Sequence, residues 1–190
     1  NEQKGSLAYA YQSGKKEMVK FFTDKDFKIN GSLASIEAWL WETDTMDDLL
    51  FDEIIASNVF DKGQQKKDFY STALIVCLHR NWIERAKKLI RDGADINFIK
   101  ENYEKELDAP ISAAAWGCTD ESFINFLVDR LEPVGNDEKR AAVYAQALRR
   151  FSYENYNYAI KKLIEKGTNV DPSLLDQIEG LIEEELLAAG

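Results

Sequence analysis

A chain of 190 residues with 45% apolar and 12% aromatic content has the composition of a folded protein, and at that length roughly 70% of the unfolded surface is buried on folding. Its 34 acidic against 24 basic side chains give a net charge of −10, which opposes polyanions and disfavours general nucleic-acid binding. The longest apolar run lies near "ALIVCL", far short of the roughly 20 residues that span a membrane, so the chain is expected to be soluble with no membrane partner.

The first element, "GSLAYAYQSGKKEMVKFFTDKDFKIN" (residues 5–30), aligns without a gap with "TALIVCLHRNWIERAKKLIRDGADIN" (residues 72–97). Repetition on this scale sets the fold, because a repeated supersecondary unit buries its apolar face only against its neighbours. Residues 31–70 carry two helical runs in "SLASIEAWLWETDTMDDLLFDEIIASNVF" but almost none of the repeated residues. Trp39 and Trp41 stand two apart there and so face different sides of a helix. The acids Glu42, Asp44, Asp47, Asp48, Asp52 and Glu53 read as a solvated helix face, with Asp47 and Asp48 near a positive N-terminus. They lack the central glycine and ligand spacing of a calcium loop. The segment "FDKGQQKKDFYST" (residues 60–72) reads as a polar finger ending in Phe69 and Tyr70.

In residues 72–97 the run "TALIVCLH" is followed by a break at "RN" and a second run, where Ile83, Ala86, Leu89 and Ile90 fall at helical spacing. Gly93 follows, the residue best suited to the left-handed conformation that ends a helix. The unit is therefore helix, tight turn, helix, glycine stop and an extended "ADIN". A charged finger, "FIKENYEKELDA", precedes a further unit in "APISAAAWGCTDESFINFLVDRL", which takes one extra residue before its second helix. Another unit ends in "EKGTNVD". Then "DPSLLDQIEGLIEEELLAAG" has Asp171 as N-cap, Pro172 at the first helical position, and Leu174, Ile178, Leu181, Ile182 and Leu186 along one face. It reads as the polar-faced cap that a repeat array needs.

Frames beginning at Gly5, Thr72, Ala109 and near Gln146 are separated by 67 (72 − 5), 37 (109 − 72) and 37 (146 − 109) residues, the first interval holding two units. Thr72, Leu74, Gly93, Ala94, Asp95, Ile96 and Asn97 resemble the opening and closing phrases of an ankyrin repeat. Pro110, Ile111, Ala114, Ala115, Gly167 and Val170 match in register, and residues 5–30 keep Leu7, Ala10, Gly14, Val19, Ile29 and Asn30. The resemblance implies an all-α, ankyrin-like helix-turn-helix solenoid forming one domain over residues 1–190. Its units run over 5–30, 31–70 (divergent), 71–98, 109–137 and 141–171, with a capping helix over 172–190.

Such an array offers a concave face built from first helices and fingers, and the resemblance implies that it binds another protein. The expected contacts are Gln12, Ser13, His79, Arg80 and Trp116 on first helices, Phe69 and Tyr70 on one finger, Lys100, Tyr103 and Glu104 on the next, and Trp82. Exposed tyrosine and tryptophan suit this role because they offer large contact area with few torsions. A stand-alone array acts through occupancy, as a specific inhibitor or immunity-type protein; the alternative is an adaptor, scaffold or self-associating structural protein. By itself the chain is expected to be monomeric. No phosphate loop, dinucleotide fingerprint, nucleophile elbow or H-E-x-x-H occurs, so an enzyme is not expected. His79 is the sole histidine, and Cys77 and Cys118 read as small buried thiols, so neither metal nor cofactor is expected. The sequence does not open on Met, which leaves a removed leader and a periplasmic or secreted location open beside a cytoplasmic one.

Overall fold

Ten consecutive residues, Phe69 to Leu78, are buried. A helix buried on every side needs neighbours all round it. The structure, a computed structural model, describes residues 63–101 and 106–170 together with positions 15, 17, 18, 20, 21 and 180. The described residues are mainly helical, in three helix-turn-helix hairpins. These are α1 (Gln64–His79) with α2 (Ile83–Arg91), α3 (Pro110–Gly117) with α4 (Glu121–Asp129), and α5 (Glu138–Glu154) with α6 (Asn157–Glu165).

The first helices lie in a row: α1 packs on α3 and α3 on α5. Each second helix packs on the first helix of its own hairpin, and α6 also packs on α4. Burial differs accordingly. Helix α2 buries only Ala86 and Leu89, and α6 only Ala159, Ile160 and Leu163, the one-sided stripe of a helix at the edge of a layer. Helix α3 lies between two others and is built from small residues, with Ala113, Ala114 and Ala115 all buried.

The first and third hairpins are near-copies in local geometry. Helices α1 and α5 begin 74 residues apart (138 − 64), as do α2 and α6 (157 − 83). Asn81 and Asn155 turn the chain between helices with φ of 57° and 58°. Asparagine tolerates this left-handed region because its short polar side chain bonds locally. Gly93 and Gly167 end α2 and α6 with φ of 102° and 91°, as the helix-stop reading of these glycines requires. The middle hairpin departs from this pattern. In place of the first half of a long helix it has β1 (Lys100–Glu101) and β2 (Leu107–Asp108), a short antiparallel pair in which Lys100 faces Asp108. Pro110, with φ set for a first helical turn and no amide hydrogen to satisfy, then opens α3.

Hydrogen bonds tie neighbouring hairpins together, among them two sets through asparagine amides. Asn81 Nδ2 donates to Thr119 Oγ1 (2.9 Å) and Thr119 N donates back to Asn81 Oδ1 (3.1 Å). Asn97 Nδ2 donates to Arg130 O (3.2 Å) and Asn97 Oδ1 accepts from Glu132 N (2.8 Å). Between the second and third hairpins Val134 N donates to Lys166 O (2.8 Å). The extended segment after α2 is fixed to α1 as well: Asp95 N donates to Ser71 Oγ (2.8 Å), and Lys67 Nζ meets Asp95 Oδ2 at 2.8 Å.

The structure moves two expected boundaries. The division between residues 70 and 71 falls inside α1, because the polar run "QQKK" is the exposed first turn of that helix rather than a finger. Glutamine and lysine are good helix formers, and polarity alone does not mark a loop. Likewise the third hairpin starts at Glu138, not at residue 141, where the Asp137 carboxylate accepts from Arg140 N (3.0 Å) and caps α5. The expectations for residues 5–14, for the acidic run, for Trp39 and Trp41, and for the capping helix lie outside the described residues.

Candidate interaction surface

Three helix ends define the candidate surface. His79, Trp116 and Tyr153 are exposed at the C-terminal ends of α1, α3 and α5, spaced by 37 residues each (116 − 79 and 153 − 116). Trp116 is 55% and Tyr153 64% accessible. Large aromatic side chains left this open beside one another make the surface a candidate for interaction.

Trp116 and Tyr153 border a cleft of about 400 Å³, lined otherwise by Ala142, Ala145, Gln146, Arg149 and Arg150. All five come from the outward side of α5, and the two alanines leave the floor shallow. The Arg150 guanidinium lies 5.0 Å from the centre of the Trp116 ring and pairs with Glu154 at 2.6 Å. A guanidinium over the ring face is attracted by the ring quadrupole, by about 0.5–1 kcal/mol at an exposed site, a modest bias on the orientation of Trp116. The Nε atom of Arg150 is enclosed and meets no acceptor among the described residues.

The backbone under the cleft is held tightly. A Cβ placed on Gly117 would lie 2.1 Å from the His79 carbonyl oxygen, so only glycine lets the end of α3 approach the end of α1 this closely. The Asn81–Thr119 pair spans the same gap. Trp116 therefore projects from a closely packed helix end.

Arg80 and Arg85 stack over Trp82, at 5.2 and 5.0 Å from its ring centre. Trp82 itself is half-buried at the N-terminus of α2 and packs against the core. Arg80 is likewise half-buried. This group borders a second, more open depression formed by Asn81, Ile83, Glu84, Arg85 and Lys88.

The remaining expected contacts fall differently. Phe69 and Tyr70 are corrected: both are core residues of α1, at 2% and 7% exposure, with ring centres 6.0 Å apart. Helical periodicity turns them inward once the helix is extended to Gln64. Lys100 lies in β1, half-buried and well along the chain from the cleft. Gln12, Ser13, Tyr103 and Glu104 lie outside the described residues. The sequence reading did not include Tyr153, Arg149 or Arg150. The signal was present, since the 37-residue interval carried one unit beyond Trp116 lands on Tyr153.

Cys77 and Cys118 are both buried and not joined in a disulfide, and burial pushes the Cys118 thiol above its ordinary pKa. Among the described residues no group of three or more His, Cys, Asp or Glu side chains gathers where a metal ion would bind, and no described helix is long and apolar enough to cross a membrane. No protein-family profile, no curated protein and no solved structure matches the chain.

Proposed function

We propose that this chain is a protein-recognition module of ankyrin-like repeat type, acting by occupancy of a partner as a specific inhibitor or immunity-type protein. The observation that carries the reading is the pair Trp116 and Tyr153, exposed at equivalent positions of adjacent first helices around one cleft. The equal 74-residue offsets of α1 and α5 and of α2 and α6, with left-handed Asn81 and Asn155 between helices, favour a repeat origin. A stack of this kind presents first-helix ends as a continuous, pre-organised face, which lowers the ordering cost of association. Aromatic anchors with arginine beside them have the composition typical of binding hot spots.

The test is capture from native lysate with the intact chain and with a Trp116→Ala/Tyr153→Ala variant whose circular dichroism matches the parent. A stoichiometric protein held by the parent and lost by the variant supports the module, and titration of that protein's activity then tests inhibition. Capture of the same protein by both chains at equal yield refutes this surface. Concentration-dependent mass of the purified chain in sedimentation, abolished in the same variant, favours the self-associating alternative.

A further inference from the structure

We draw no further inference here: the strongest candidate, the cleft between Trp116 at the end of α3 and Tyr153 at the end of α5, belongs to the surface already described, and nothing in the structure shows what covers it.

Discussion

Gly117→Ala is the most informative single change in the described structure. A methyl group there would meet three backbone atoms of His79: the carbonyl oxygen at 2.1 Å, the carbonyl carbon at 2.4 Å and Cα at 2.6 Å. None of these is the mobile end of a side chain, so relief requires the helix ends to separate. Restoring ordinary contact at 3.4 Å means a shift of about 1.3 Å (3.4 − 2.1). The Asn81–Thr119 bonds, now 2.9 and 3.1 Å, would then open beyond hydrogen-bonding distance. Overpacking of this kind costs about 1–3 kcal/mol, and the two exposed bonds add roughly 1–2 kcal/mol. Lower entropy of the unfolded chain returns about 0.4–1 kcal/mol. The net loss is therefore about 3 kcal/mol, which for a chain of this size lowers Tm by roughly 6–12 °C. Urea and thermal unfolding followed by far-UV circular dichroism measure it. A Gly117→Ala protein as stable as the parent would refute the close approach of α1 and α3 beneath Trp116.

Four further outcomes follow from other parts of the structure. Asn97→Ala removes both amide links to Arg130 and Glu132 and should cost about 1–2 kcal/mol in urea unfolding; no loss would show that these links do not hold the hairpins together. The Tyr144 hydroxyl donates to Glu132 O at 2.9 Å, and burial pushes its pKa up from 10 to about 12. Above pH 10 the unfolded chain releases this proton while the folded chain keeps it, so the stability contributed below pH 10 is lost as pH rises towards 12, by roughly 2–3 kcal/mol. The parent should lose that much more than Tyr144→Phe over this window, and parallel pH profiles would contradict the assignment. Trp116→Ala/Tyr153→Ala, which removes exposed rings, should change stability by less than about 1 kcal/mol, so a large drop in Tm would make these rings core rather than contact residues. Both native thiols should react slowly with a thiol reagent and rapidly in urea, since Cys77 and Cys118 are buried; fast native labelling of either would mean that α1 or the end of α3 is open.

Much of the helical order was legible because it rests on local rules. Gly93 and Gly167 stop helices through φ values that side chains disfavour, and Pro110 starts one by its fixed φ. Ile83, Ala86, Leu89 and Ile90 announced α2 by period. The start of α1 was not legible in the same way. The polar stretch before Phe69 has no periodicity of its own, and its helix extends from a first hairpin core that contacts α3 across many residues of sequence.

The sequence by itself determined the repeated spacing, the helix stops and the surplus of negative charge, because periodicity, backbone conformation and composition are properties of the chain. The candidate site was visible only in fragments. His79 and Trp116 could be marked as outward first-helix positions, but Phe69 and Tyr70 carry the same kind of side chain and are core. Tertiary structure decided between them, since burial is set by which helix lies opposite. Packing of α3 against α5 brought Arg149 and Arg150 to the cleft beside Trp116. It also gave Gly117 its meaning: its importance comes from the His79 carbonyl that packing places against it.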